Sequence, residues 1–230
     1  MPHRSVWEIG HRGAAGEAPE NTMASFRTAL ADGADMIETD VWRCKSGEIV
    51  ITHYEDLSIV TNGTGKVTEK TLAELKELDA GKGEHIPTLD ELLVFADGKI
   101  KLNIEIKQEV TGKEVLEYLR KFWKSPREDI LITSFIFGEL ESVRKMDPGM
   151  RLGVLTKTDL AEALSFAKKI NAYSVNPQFK LIDRTFVEKA HYEGFKVFPW
   201  TVNEPEDIRA VEDMGVDGVI SNFPERVRKL

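Results

Sequence analysis

The segment MIETDVWRCKSGEIVITH, residues 36–53, decides the fold. It holds two runs of strand-forming residues, Met36–Trp42 and Glu48–His53, with only Arg43–Gly47 between them. Parallel neighbours in a sheet need a crossover of a dozen or more residues, which this linker cannot supply. Ser46-Gly47 instead gives a tight turn, so the second run returns antiparallel to the first as a hairpin arm.

Outward from this arm the chain alternates strand-like and helical patterns, the signature of a parallel sheet covered by helices. The remaining strand-like runs are Val6–Gly10, Ile100–Lys107, Ile130–Phe135, Arg151–Leu155, Ala172–Asn176, Lys196–Thr201 and Asp217–Ser221. With the arm set aside, eight parallel strands are left, the number that closes a barrel and removes exposed edges. The expected fold is therefore α/β, a (β/α)8 TIM barrel with a small insertion after the second strand. Its 230 residues suit one domain, 1–230, with the hairpin and an irregular Gly- and Thr-rich excursion at about 43–87 lying over the barrel mouth. Helix signals agree. Thr22–Asp32 puts Met23, Phe26 and Leu30 on one face and stops at Gly33; Thr88 and Glu91 form a capping box; Pro205 suits a first turn, with Gly215 closing that helix.

Composition narrows the function. A net charge of −8 argues against nucleic acid or an anionic membrane surface as partner, because those contacts need excess Lys and Arg. No run approaches the roughly 18 apolar residues of a membrane span, so no integral membrane association is expected. Met1–Ile9 lacks the apolar centre of a secretory signal and carries Arg4 and Glu8, which points to a cytoplasmic address. Cys44 is the only cysteine, leaving no internal disulfide, and its setting between Arg43 and Lys45 reads as incidental. The sequence does not fix an oligomeric state.

In such barrels the active site lies at the carboxyl ends of the strands. Those ends are rich in reactive side chains: His11-Arg12-Gly13 after the first strand, Glu38-Thr39-Asp40 on the second, His53 on the arm, Asn103-Ile104-Glu105-Ile106-Lys107 on the next, and Trp200 later. Residues two apart on a strand share a face, so Glu38 pairs with Asp40, and Asn103 with Glu105 and Lys107. If these faces line the barrel, three carboxylates converge, and an all-oxygen set of that charge suits one hard divalent ion, Mg2+, Mn2+ or Ca2+. His11 and His53 are the candidate acid and base, since imidazole titrates near neutrality. Arg12, as a bidentate fork, and Lys107, as a point charge, are the candidate phosphate-binding cations. Glu20 and Asn21 follow Pro19 at the entry to the first helix, where capping is the simplest role. His3, His85 and His191 read as surface residues.

Taken in order, His11-Arg12-Gly13, Glu20-Asn21-Thr22, Glu38-Thr39-Asp40-Val41, His53, Asn103–Lys107 and Trp200-Thr201-Val202-Asn203 resemble the glycerophosphodiester phosphodiesterase family over nearly the whole chain. The resemblance implies metal-dependent hydrolysis of glycerophosphodiesters, such as glycerophosphocholine and glycerophosphoethanolamine, to sn-glycerol 3-phosphate and an alcohol. It implies Glu38, Asp40 and Glu105 as metal ligands and His11 and His53 as the catalytic pair. Arg12, Lys107, Trp200, Glu20 and Asn21 then form the substrate-binding set. Two departures stand out. Tyr54 follows His53 where the family usually has aspartate, and Ile59-Val60-Thr61 replaces an Arg-Thr-Thr pattern, which bears on substrate preference. The alternative with the same site is a lysophospholipase D acting on lysophospholipids, its acyl chain meeting Ile59, Val60, Phe135, Ile136 and Phe137.

Overall fold

The computed structural model describes residues 6–228. Its strands are β1 (Trp7–Gly10), β2 (Met36–Arg43), β3 (Ile49–Ile51), β4 (Lys101–Ile106), β5 (Ile130–Ser134), β6 (Arg151–Thr156), β7 (Ser174–Pro177), β8 (Lys196–Val197) and β9 (Gly218–Ser221). The helices are α1 (Met23–Ala31), α2 (Leu72–Lys76), α3 (Leu89–Ala96), α4 (Gly112–Phe122), α5 (Phe137–Met146), α6 (Leu160–Lys169), α7 (Arg184–Tyr192), α8 (Pro205–Met214) and α9 (Pro224–Arg228). Eight parallel strands run in the order β8-β7-β6-β5-β4-β2-β1-β9, and β3 lies antiparallel on β2 with Val41 opposite Ile51. The arm is as the short Arg43–Gly47 linker requires.

The barrel closes through single backbone bonds. Asp217 N–H donates to Val197 C=O at 3.0 Å, and Ile220 N–H to Pro199 C=O at 3.0 Å. Here β8 is shorter than the expected Lys196–Thr201: Pro177 and Pro199 have no N–H, so each leaves a gap in the bonding, although Phe198 N–H still donates to Val175 C=O and Trp200 N–H to Pro177 C=O. The arm also ends early, at Ile51, so His53 sits on the loop beyond it.

Period-2 alternation sorts the side chains. Ile37, Val41, Leu102, Ile104, Ile132, Leu152 and Val154 face outward and are buried under the helices. Ile9, Met36, Leu131, Phe198 and Ile220 face inward and fill the barrel's lower interior. Above Met36 the same inward face of β2 carries Glu38 and Asp40, so the barrel turns from apolar to acidic towards its carboxyl end.

Local signals set the helices as expected. Thr22 Oγ1 accepts from Ser25 N–H at the start of α1, Thr88 N–H donates to Glu91 Oε2 at 2.8 Å, and Gly215 closes α8 at φ +93°. Between β3 and α3 the excursion builds a small core of its own from Val50, Leu57, Val67, Leu75 and Ile86, joined by the buried Cys44. No described helix is long and apolar enough to cross a membrane. Among the remaining histidines, His85 is exposed, and His3 lies outside the described residues. His191 is only half-buried surface: its Nε2 lies 2.7 Å from Asp217 Oδ2, and Lys196 Nζ lies 2.7 Å from Asp217 Oδ1, an ion cluster at the amino ends of the strands.

Candidate active site

Strand register assembles the acidic centre. In the β2–β4 ladder Glu38 lies opposite Asn103 and Asp40 opposite Glu105, so side chains more than 60 residues apart in sequence share one inward face. One oxygen from each of Glu38, Asp40 and Glu105 lies within 4.8 Å of the others, and all three residues are buried. Asp40 Oδ1 accepts no hydrogen bond among the described residues and has Lys107 Nζ at 3.3 Å. Three buried carboxylates at this spacing, one with an unfilled lone pair, fit a hard divalent cation held by Glu38, Asp40 and Glu105.

The charges in this cluster are driven apart. Burial, then the neighbouring Asp40 and Glu105 carboxylates, push Glu38 well above the ordinary carboxylate range. Burial and Asp40 raise Glu105 to about 7, with Lys107 opposing. Burial also works against ionised Asp40, but Lys107, His53, Arg12 and a 2.9 Å hydrogen bond from Asn21 Nδ2 reverse the outcome and hold it below its usual range. The cluster thus favours the ionised form of Asp40 and the protonated forms of Glu38 and Glu105, a balance that a bound cation would shift towards ionisation.

The cations are already committed. Arg12 forks onto Glu20 through Nη1, 2.8 and 2.9 Å from the two oxygens, its Nε lies 3.6 Å from Asp40 Oδ2, and its backbone N–H donates to Glu38 Oε2. Lys107 Nζ lies 2.7 Å from Glu105 Oε1. Glycine at position 13 makes the turn possible, with φ +81° and a site where a Cβ would lie 2.5 Å from Ser25 Oγ. Glu20 and Asn21 do not line the cavity. Glu20 clamps Arg12 from behind, and Asn21 holds Asp40 while accepting from Thr39 Oγ1 at 2.8 Å.

Both rings open on the same cavity, of about 440 Å³, which Arg12, Glu38, Glu105, Lys107 and Trp200 also line. His11 Nδ1 lies 2.6 Å from Asn222 Oδ1, and because an amide oxygen only accepts, the proton sits on Nδ1 and Nε2 carries the lone pair. Burial, then Arg12, lowers the His11 pKa to about 4. Burial also lowers His53 to about 4 against the pull of Asp40, and its buried Nδ1 has no hydrogen-bond partner among the described residues. Both imidazoles are therefore neutral at pH 7. Tyr54 packs edge-on against His53 and lies under the Arg12 guanidinium at 5.7 Å. The departure from aspartate thus puts a ring where a charge was expected.

Asn222 was absent from the sequence reading, because 211 residues separate it from His11 and no local pattern marks it. Lys157, Thr158 and Gln178, which edge the cavity on the far side from the carboxylates, were likewise unmarked. Trp200 Nε1 donates to Asn176 C=O at 2.7 Å, and its ring meets Phe135 edge-on at 5.6 Å. Of the apolar residues offered for an acyl chain, Phe135 lines the cavity, whereas Phe137 stacks on Phe166 at 4.0 Å and packs against the main core.

A parallel barrel whose carboxyl rim joins a buried acidic ion site, two neutral imidazoles and phosphate-competent cations defines a class, the metal-competent phosphoester hydrolases built on this architecture. The model of the glycerophosphoryl diester phosphodiesterase family matches residues 11–226, and the chain belongs to that family. It is 37% identical over 235 residues to a glycerophosphodiester phosphodiesterase of Caldanaerobacter subterraneus, covering 96% of each chain. A glycerophosphodiester phosphodiesterase of Bacillus altitudinis is 34% identical over 238 residues, again covering 96% of each. The structure of an Oleispira antarctica phosphodiesterase in complex with the product sn-glycerol-3-phosphate superposes with a TM-score of 0.90 at 30% identity, covering 96% of this chain and 94% of that one.

Proposed function

We propose that the protein hydrolyses glycerophosphodiesters, among them glycerophosphocholine and glycerophosphoethanolamine, to sn-glycerol 3-phosphate and an alcohol. The observation that carries this reading is that His11 and His53 line one cavity with Glu38 and Glu105, which cluster with the buried Asp40. Family membership and the likeness to the product-bound Oleispira antarctica structure support it. A divalent ion, Mg2+, Mn2+ or Ca2+, held by the three carboxylates would supply positive charge that polarises the phosphoryl group. Arg12 and Lys107, kept in place by Glu20 and Glu105, offset charge that grows on the phosphoryl oxygens.

The two imidazoles move the protons. A neutral ring takes the proton of the attacking hydroxyl, and the second ring, protonated once the anionic diester lies beside it, gives one to the departing alkoxide. For His11 the atom is Nε2, since Asn222 fixes the proton on Nδ1. The attacking hydroxyl belongs to water or to the glycerol 2-position; a cyclic glycerol phosphate trapped in single-turnover samples identifies the second route.

The test is to incubate the purified protein with glycerophosphocholine, glycerophosphoethanolamine and a lysophospholipid, with and without chelator, and to measure glycerol 3-phosphate and lysophosphatidic acid. Chelator-sensitive release of glycerol 3-phosphate is expected. Release that survives chelation overturns the ion's role, and faster cleavage of the lysophospholipid replaces the substrate assignment.

A further inference from the structure

The cavity is electrically lopsided. Its carboxylates, Glu38 and Glu105, stand with Arg12 and Lys107 on the β1–β4 side, where both cations are in ion pairs. Across the cavity, beyond β5 and β6, Lys157 is the one cavity-lining cation in no ion pair among the described residues. Its neighbour Asp159 is turned away, with Oδ1 accepting from Ala161 and Glu162 N–H at the start of α6. Lys157 Nζ sits 5.7 Å from the centre of the Phe135 ring, which itself lines the cavity.

We propose that Lys157 sets head-group preference, so that the enzyme favours diesters whose leaving alcohol carries an anionic group, carboxylate or phosphate, and disfavours choline. This rests on the glycerophosphodiesterase reading above. The glycerol arm, common to all such substrates, belongs near the imidazoles and the acidic cluster, which leaves the β5–β7 side to the variable alcohol. Among the described residues that line that side, none is a carboxylate that could meet a cationic head group. An aromatic face is the usual alternative host for a quaternary ammonium; of Phe135 and Trp200, which line the cavity, Phe135 already has the Lys157 ammonium at 5.7 Å, and Trp200 stands edge-on to that same ring. Choline thus meets a like charge beside the Phe135 and Trp200 rings, whereas an anionic group meets the cavity's unshared positive charge.

The experiment compares kcat/KM for glycerophosphoinositol 4-phosphate, glycerophosphoserine, glycerophosphoglycerol and glycerophosphocholine in wild type, Lys157→Met and Lys157→Glu. Glycerophosphoglycerol is the neutral reference; the inositol 4-phosphate substrate presents a phosphate, and the serine substrate a carboxylate beside an ammonium. Wild type should prefer the anionic substrates over choline. Lys157→Met, which keeps the stem, should lower that preference about fivefold, the worth of one unit charge at roughly 4 Å in a solvated site. Lys157→Glu should lower it by about tenfold or more, with the change in KM rather than kcat and glycerophosphoglycerol little altered. Preference ratios within twofold of wild type in both variants overturn the inference while leaving the diesterase reading intact. Absence of glycerol 3-phosphate from all four substrates in wild type overturns the diesterase reading, and the inference with it.

Discussion

At the scale of single residues the site depends on atoms whose bonding leaves them one task. His11 is neutral because burial and the adjacent Arg12 disfavour its charged form, its lone pair is on Nε2 because Asn222 Oδ1 accepts from Nδ1–H, and Asp40 is ionised because Lys107, His53 and Arg12 outweigh its burial. Two non-glycine residues accept left-handed backbone here, Arg12 at φ +52° and Asn21 at φ +54°, each costing on the order of 1 kcal/mol. They are held by Arg12 N–H on Glu38 and Asn21 N–H on the Arg12 carbonyl. His11→Ala and His53→Ala should each cut kcat by at least ~10² with an unchanged circular dichroism spectrum, since each removes a proton-transfer group. Wild-type turnover in either variant removes that residue from the proposed chemistry. These histidines were legible because they sit at the ends of strand-like runs. The roles of Glu20 and Asn21 behind the site were not, because capping and clamping use the same residue types at the same helix entry.

Among the elements, the start of α4 is tied to the next helix, α5, by a carboxylate. Glu139 of α5 is buried and accepts from the N–H groups of Val110, Thr111 and Gly112, the unpaired donors at the start of α4. Gly112 allows this approach, since a Cβ there would lie 2.6 Å from Val143 Cγ2. Glu139→Ala strands three backbone donors and should cost about 2–3 kcal/mol in urea denaturation, with Glu139→Gln, which keeps one acceptor oxygen, costing less. A loss below about 0.5 kcal/mol in the alanine variant would mean that water caps the helix equally well. Helices α1, α3 and α8 were readable because their caps lie within four residues of what they cap, whereas the cap of α4 comes from 27 residues away. The strand β8 was overdrawn for a related reason. Pro177 and Pro199 suit extended backbone, but only the neighbouring strands show where their missing N–H groups interrupt the ladder.

Over the whole molecule the acidic centre couples ion binding to stability. Glu105 keeps its proton up to about pH 7 when no ion is bound, well above its ordinary 4.5, and Glu38 is raised in the same direction. A raised carboxyl contributes stability that is complete below 4.5 and is lost as pH rises through 7, because the ionised form is then buried without compensation. A cation restores what is lost. At about 100 times its Kd it adds about 2.7 kcal/mol, or roughly 5–10 °C in Tm for a chain of this size. Thermal shift with added Mg2+, Mn2+ or Ca2+ should therefore be larger at pH 8 than at pH 6, where the ion must displace protons. Equal shifts at the two pH values, or none, would rule out Glu105 as a proton-competing ligand. The alternation of strand and helix, the five-residue hairpin linker and the polar strand ends are local properties of the chain, and from them alone came the barrel, the carboxylate trio and the histidine pair. Which residue meets each of these is decided by register and closure: Asn222 against His11, Tyr54 beneath Arg12, Lys157 on the same cavity as the acids. Periodicity tells which face a side chain takes, but only the closed sheet brings faces from distant strands within bonding distance.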